Sequence, residues 1–114
     1  MSISIASAMV TVDSQDALAL ARWWSRATGA PFTLEHEEFS MLAPTDGLPT
    51  LGFQRVDDPT PGKNRLHLDL HVTDRVAAVD ELVALGARLV ADHAEGGNEW
   101  TTLADPDGNL FCVN

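Results

Sequence analysis

The sequence contains little cysteine and few basic residues, and each shortage excludes a class of protein. The single cysteine, Cys112, excludes an internal disulfide and indicates a reducing compartment. Only 7 Lys and Arg residues accompany 17 Asp and Glu, and the formal charge of −10 repels phosphate backbones and anionic lipid headgroups. We therefore predict that neither nucleic acid nor a membrane is a partner.

Long apolar runs are missing as well. No run approaches the roughly 20 residues of a membrane-spanning helix, and residues 1–5 lack the basic start and long apolar middle of a secretory signal. The length and composition suit one domain, because 114 residues with 45% hydrophobic content form a core that needs no disulfide or metal to stabilise it. We predict a single cytoplasmic domain spanning residues 1–114.

The stretch 65–72 (RLHLDLHV) alternates apolar and ionisable residues over the length of one strand. A strand would send Leu66, Leu68, Leu70 and Val72 to one face, which we predict to be core. The ionisable residues of the other face, His67, Asp69 and His71, are predicted to line a cavity. A strand whose polar face meets only solvent is the alternative.

Two similar series of elements follow each other along the chain. The patterns predict strands at 8–13, 32–34, 39–42, 50–56, 65–72, 88–91, 100–103 and 109–114, with a turn at 93–98. They also predict two helices. The first begins after Ser14 or Asp16 and ends at Gly29, and its packing face consists of Leu20, Trp23, Trp24 and Ala27. The second begins after Asp74, with Ala78, Leu82 and Leu85 on one face.

The repeat defines two halves, each with the order strand, helix, strand, strand, strand. At an offset of 58, Met9 falls on His67 and Asp16 on Asp74. We predict a first module at 1–57, a linker at 57–64 and a second module at 65–114. One helix covers only one face of such a sheet, so we expect the two uncovered faces to enclose a cleft that contains the site.

The run Lys63–Leu70 and the ending Asp105–Val113 (DPDGNLFCV) resemble the vicinal oxygen chelate superfamily. Within it, the chain is similar to the small glyoxalase-like domains related to glyoxalase and bleomycin-resistance proteins. The resemblance implies an α+β fold of two tandem βαβββ modules, which form an eight-stranded open barrel-like cleft with two flanking helices. It also implies a small-molecule ligand and a homodimer.

In metal-dependent members of that superfamily, the ligands come from the first and last strands of each module. Carried over by position, these places hold Met9, Gln54, His67 and Cys112 here, where the family has histidine, glutamate or glutamine. A hard divalent ion prefers oxygen and imidazole ligands, and only His67 is a convincing one. A pair on one strand, such as Asp69 with His71, is roughly 7 Å apart and too wide to hold an ion alone. We predict neither a metal nor a cofactor.

The side chains predicted to line the cleft are Met9, Thr11, Gln54, His67, Asp69, His71, Trp100 and Cys112. Alternation places all of them except Trp100 at inward-facing positions of the strands, and Trp100 either adds an aromatic wall or packs in the core. Apolar and aromatic side chains offer adaptable contact, while glutamine and histidine supply directional hydrogen bonds. His67 is either a general base or a hydrogen-bonded cavity histidine, and Cys112 is either reactive or a small buried residue. No catalytic residue is assigned.

Two functions remain open from the sequence. The first is a binding protein for a partly apolar metabolite or antibiotic-like compound, since carboxylate ligands are missing from the four positions in an otherwise intact scaffold. The second is a lyase, isomerase or dioxygenase that uses His67 as a base or metal ligand. The fold alone does not choose between them.

Overall fold

A computed structural model of the chain describes residues 2–61 and 65–114. In chain order, its elements are β1 (Ser7–Ser14), α1 (Ala17–Thr28), β2 (Phe32–Leu34), β3 (Phe39–Leu42), β4 (Leu51–Arg55), β5 (Leu66–His71), α2 (Arg75–Ala84), β6 (Arg88–Glu95), β7 (Asn98–Ala104) and β8 (Leu110–Val113). This is the predicted α+β class with a βαβββ order that occurs twice. Residues 62–64, at the end of the predicted linker, lie outside the described residues.

The strands form a mixed sheet in the order β2-β3-β4-β1-β5-β8-β7-β6, with β2 and β6 at its edges. In each half the first strand runs parallel to the last, β1 to β4 and β5 to β8, and the remaining pairs within each half are antiparallel. The predicted eight-stranded open sheet with two helices is therefore confirmed.

The chain divides into two compact units, residues 9–67 and residues 1–8 with 68–114. In the unit 9–67, helix α1 packs on β3 and β4 through its small residues. Ala17 and Ala21 join Leu42 and Phe53 in the core, and all four are at most 1% exposed. Alanines on the helix let its backbone approach the sheet closely.

In the other unit, helix α2 packs on β6, β7 and β8. Its core consists of Ala78 with Leu103 and Val113, and Val79 and Leu82 are among the residues packed around it. The same face of the sheet therefore carries both the helix and the buried residues of β7 and β8.

Both helices begin where the sequence predicts. Asp16 caps α1 by accepting a hydrogen bond from the N–H of Ala19 at 3.3 Å, and Asp74 caps α2 through the N–H of Ala77 at 3.1 Å. Gly29 ends α1 in the left-handed region with φ of 79°, where a residue with a Cβ would be strained. The cap predictions are thus confirmed.

The predicted core face of β5 is wrong in its first half. Leu66 and Leu68 are 56% and 50% exposed, whereas His67 and Asp69, which alternate with them, are less exposed. Alternation determines which side chains share a face, but it does not determine whether another element covers that face. The apolar side of β5 becomes less exposed only from Leu70 onward.

The predicted packing stripe of α1 is also wrong for its tryptophans. Trp23 and Trp24 are 52% and 36% exposed and contact each other edge to face, with ring centroids 5.0 Å apart. The alanines take the positions nearest the sheet, and a tryptophan ring there would hold the helix farther away. On α2, Leu85 is likewise exposed, at 59%, rather than packed.

The predicted turn at 93–98 is shorter in the structure. Strand β6 continues to Glu95 and β7 begins at Asn98, so that only Gly96 and Gly97 connect them. Both glycines have positive φ, 58° and 83°, as a two-residue hairpin turn of this kind requires. His93 therefore lies on a strand, paired with Trp100, rather than in a surface turn.

Candidate functional site

The polar face of β5 lies opposite the face on which α2 packs. Asp69 of β5 pairs with Cys112 of β8, which in turn pairs with Thr102 of β7. Because directly paired residues point to the same face, these three side chains form a row across the sheet. Their strand neighbours Leu70, Val113 and Thr101 point to the helix-covered side.

Three potential metal ligands lie close together on this face, two of them in the row and His67 beside it. One ligand atom from each of His67, Asp69 and Cys112 lies within 4.8 Å of the other two. The 7 Å separation expected between neighbours on one strand describes the backbone, and the side chains approach more closely than that. We call His67, Asp69 and Cys112 the three-donor cluster.

His67 also has an acidic neighbour on β1. Its Nδ1 lies 3.7 Å from Oδ1 of Asp13, and the two side chains are only 16% and 27% exposed. A carboxylate near Nδ1 favours the tautomer with the proton on Nδ1, which leaves the lone pair on Nε2. Such an imidazole can accept a proton or ligate a metal through Nε2.

A series of polar contacts connects His93 on the edge strand β6 with Cys112 through Thr102. The Nε2 atom of His93 lies 3.2 Å from Oγ1 of Thr102, and that oxygen lies 3.5 Å from Sγ of Cys112. The His93 ring stacks on Trp100 with centroids 5.0 Å apart and an interplanar angle of 18°. Trp100 thus contributes to this polar face by fixing the ring of His93.

The predicted site residues of the first module occupy β1 and β4. Met9 is 5% exposed and Thr11 is fully buried, while Gln54 is partly exposed and its backbone pairs with Asp13. Gly52 permits the close packing of Met9, since a Cβ there would lie 2.8 Å from its sulfur. The cleft that these residues were predicted to share with the second module stays a prediction.

The four positions that the superfamily resemblance implies for a metal do not fit a hard ion. Met9 offers a thioether, Gln54 a neutral amide and Cys112 a thiol, so only the imidazole of His67 matches the preferred ligands. Asp69, the one carboxylate of the three-donor cluster, is not at any of these positions. The prediction of no metal and no cofactor remains untested.

A separate polar network lies on the helix side of the sheet. Arg75, the first residue of α2, donates to Oγ1 of Thr101 at 2.7 Å and to Oε2 of Glu99 at 3.1 Å. Thr101 in turn donates to Oδ1 of Asp92 at 2.7 Å. These residues line an open groove of about 450 Å³ beside α2. The network therefore connects the first turn of α2 with β6 and β7.

Sequence reasoning missed three residues around the cluster, namely Asp13, His93 and Thr102. Asp13 was detectable, since alternation along β1 puts it on the face of Met9 and Thr11. His93 was not assigned to this face because the predicted strand ended two residues before it. Thr102 carries no distinctive motif, and only its cross-strand pairing with Cys112 reveals it.

A family model matches this chain, whereas no curated protein does. Residues 9–114 match the family model described as the glyoxalase-like domain. The search of the curated proteins finds no match.

Solved structures with the same fold cover nearly the whole chain. A methylmalonyl-CoA epimerase variant from Streptomyces coelicolor, in complex with 2-nitronate-propionyl-CoA, is 18% identical with a TM-score of 0.65, over 96% of each chain. A glyoxalase/bleomycin resistance protein/dioxygenase superfamily member from Vibrio splendidus is 18% identical with a TM-score of 0.56, over 93% of this chain and 94% of its own.

A structure named as NAD-dependent benzaldehyde dehydrogenase from Legionella pneumophila is 10% identical with a TM-score of 0.76, over 93% of this chain and 96% of its own. At such identities the likeness concerns the fold alone. The family match over residues 9–114 goes further, and it means that this chain belongs to the glyoxalase-like domain family of the vicinal oxygen chelate superfamily.

Proposed function

We propose that this protein binds a small, partly apolar metabolite or antibiotic-like compound on the open sheet face that carries the three-donor cluster, without the metal usual in the superfamily. The observation that supports this best is the row of partly buried polar groups from Asp69 through Cys112 to Thr102, opposite the helix-covered face.

The chemistry of this face suits such a ligand. Imidazole, hydroxyl and carboxylate groups fix the orientation of a few polar atoms, while Trp100 and Leu110 offer apolar contact. Leu110 pairs with Ala104 on β7 and is 53% exposed, so that its side chain is available. The complex of the Streptomyces coelicolor epimerase with a CoA ester analogue supports the idea that this fold accommodates small molecules.

A thermal-shift screen of partly apolar metabolites tests the proposal. A bound compound stabilises the folded chain by an amount that grows with the logarithm of its excess over the dissociation constant, about 2.7 kcal/mol at a hundredfold excess. We expect at least one compound to raise the melting temperature of the wild type. We expect the His67→Ala variant to keep the far-UV circular dichroism spectrum and to lose this shift.

The His36→Ala variant is the matched control, because His36 is an exposed histidine in the connection between β2 and β3. It should keep the ligand-induced shift. Equal shifts in the wild type and in His67→Ala would refute the assignment of this face as the binding site. Unfolding of His67→Ala would instead mean that His67 is part of the core.

The second candidate is an enzyme, a lyase, isomerase or dioxygenase, with His67 as general base or metal ligand. The observation that favours it is Asp13, 3.7 Å from Nδ1 of His67, because an acidic partner orients an imidazole for proton transfer through Nε2. Incubation of each binding compound with the protein, followed by mass spectrometry or NMR, distinguishes the two functions. Chemical change that is lost in His67→Ala indicates the enzyme, and unchanged compound indicates the binder.

A further inference from the structure

The groove beside α2 lies on the helix side of the sheet, opposite the face of the proposed function. Its volume of about 450 Å³ is within the usual range for pockets that hold small molecules, about 300–1,000 Å³. Asp92 of β6 and Thr101 of β7 are directly paired, so their side chains share the face on which α2 packs. The lining residues all belong to the unit formed by residues 1–8 and 68–114.

Apolar side chains from two elements line the groove. Val76 and Val79 come from α2, and Leu89 and Ala94 come from β6. Val76 is 60% exposed and Leu89 is 49% exposed, although both side chains are large and apolar. Because the removal of such surface from water is favourable, the groove stabilises an apolar body that enters it.

The guanidinium of Arg75 is already engaged within the groove. It donates to Oγ1 of Thr101 and to Oε2 of Glu99. It also lies 3.5 Å from Oδ1 of Asp92, and its side chain is only 24% exposed. An anionic ligand would have to displace one of these partners. The groove is therefore unsuited to a carboxylate or a phosphate.

The carboxylates of the groove remain accessible to a ligand. The side chains of Asp92 and Glu99 are 67% and 66% exposed, and their ion pairs with Arg75 use one oxygen of each. Since a carboxylate has about four acceptor sites, both groups can accept further hydrogen bonds. Asp80, exposed and one helical turn after Val76, adds a third negative charge. Three carboxylates and one guanidinium attract a cation.

We propose that this groove binds an organic ammonium ion with a short aliphatic or aromatic body. The ammonium group donates to Asp92 and Glu99, and the body contacts Val76 and Leu89. Hydrogen bonds between an ammonium and a carboxylate are roughly twice as strong as those between neutral groups. The site goes beyond the proposed function, because it lies on the other side of the sheet and none of these four residues is assigned to that function.

Titration of the isotope-labelled, full-length protein with hexylammonium chloride, followed by two-dimensional amide NMR, tests the site. We expect saturable shifts with a dissociation constant on the order of a millimolar, as is typical of so small a ligand. The largest shifts should occur in residues 75–80, 89–94 and 99–101, which include the lining of the groove. Sodium hexanoate and hexanol, matched in chain length, should bind at least about tenfold more weakly.

Matched variants separate the two parts of the site. Asp92→Asn should weaken hexylammonium binding at least about fivefold, because it removes a charged acceptor. Glu99→Gln should act in the same direction without altering the bond that Asp92 accepts from Thr101. Val76→Thr keeps every charge and should weaken binding about twofold, since a hydroxyl replaces a methyl group.

Asp107→Asn is the control, because it makes the same change of charge at an exposed aspartate in the turn before β8. It should bind hexylammonium as the wild type does. Circular dichroism of each variant verifies the fold.

The proposal is overturned if hexylammonium gives no saturable shifts, or if hexanoate binds as tightly. It is also overturned if the largest shifts lie on the polar face of β5 and β8, or if Asp92→Asn and Glu99→Gln both bind as tightly as Asp107→Asn. His67→Ala should bind hexylammonium as the wild type does. Failure of the metabolite screen and failure of the amine titration are therefore separate results.

Discussion

At the scale of single residues, Gly52 on β4 packs closely against the side chains of Met9 and Phe39. Gly52 has an ordinary β-strand backbone, but a Cβ at this position would lie 2.8 Å from Sδ of Met9 and 3.0 Å from Cζ of Phe39. Glycine is therefore required at this position for the space that it leaves, and not for its backbone conformation. The side chain of Met9 occupies this space instead.

We predict that Gly52→Ala lowers the free energy of unfolding by about 1–3 kcal/mol, because Met9 and Phe39 must shift to admit the methyl group. Urea denaturation measures the change. In a Met9→Ala background the same substitution should cost less, since the flexible end of Met9 is absent. An equal cost in both backgrounds would contradict the packing explanation.

At the scale of elements, both helices pack on their strands through apolar contacts, and α2 adds a polar one. For α2, the bond from Arg75 to Thr101 connects the first turn of the helix with the middle of β7. Thr101 is fully buried although it is polar, and its hydroxyl both accepts from Arg75 and donates to Asp92. Burial of a hydroxyl with both bonds made costs little, but loss of the hydroxyl leaves Arg75 and Asp92 with one partner fewer.

We therefore predict that Thr101→Val, which is nearly isosteric, destabilises the fold by about 1–3 kcal/mol. Thermal and urea unfolding measure the effect. Thr60→Val is the control, because Thr60 is exposed and should change stability by less than about 0.5 kcal/mol. Equal stability of Thr101→Val and wild type would show that the hydroxyl bridge is dispensable.

The turn between β7 and β8 depends on the carboxylate of Asp105. Its oxygens accept hydrogen bonds from the side-chain amide of Asn109 at 2.9 Å and from the N–H groups of Asn109 and Asp107. The bond from the side chain of Asn109, followed by the backbone bonds, lowers the pKa of Asp105 below its usual value. The ionised form of Asp105 therefore stabilises the turn more than the protonated form does.

Because the pKa of Asp105 is lower in the folded chain than in the unfolded chain, its stabilisation is complete above the unfolded pKa, about 4. It is lost as the pH falls through the folded pKa. We predict that the wild type melts at a higher temperature than Asp105→Ala at neutral pH, and that the difference shrinks below about pH 4. Asp107→Ala should show a smaller difference, and a pH-independent gap for Asp105→Ala would contradict the prediction.

At the scale of the whole molecule, charge and topology govern what the chain interacts with. Among the described residues, no helix is long and apolar enough to cross a membrane. The formal charge of −10 distributes negative potential over a small surface. The homodimer and the cytoplasmic location stay predictions, and sedimentation equilibrium would measure the first directly.

We predict that the protein does not bind nucleic acid, since its excess of acidic groups would have to approach phosphates. Fluorescence anisotropy of a labelled DNA duplex should remain unchanged up to micromolar protein even at low salt. Saturable binding that weakens as salt is added would mean that a local basic surface outweighs the net charge.

Much of the fold was accessible from the sequence because it is encoded locally. Alternation along the strands, the Asp16 and Asp74 caps and the recurrence of the βαβββ order each depend on neighbours in the chain. The family resemblance and the polar face of β5 were accessible for the same reason. These features fixed the element order and the grouping of His67, Asp69 and His71 on one face.

The tertiary structure decided what depends on distant parts of the chain. Cross-strand pairing brought Cys112 and Thr102 beside Asp69, and the approach of β1 brought Asp13 to His67. It also left Leu66, Leu68, Trp23 and Trp24 exposed, although their pattern predicted burial. Periodicity predicts the face to which a side chain points. Whether that side chain is buried, and which residues it contacts, depends on the element that packs on that face, and this is a property of the folded chain.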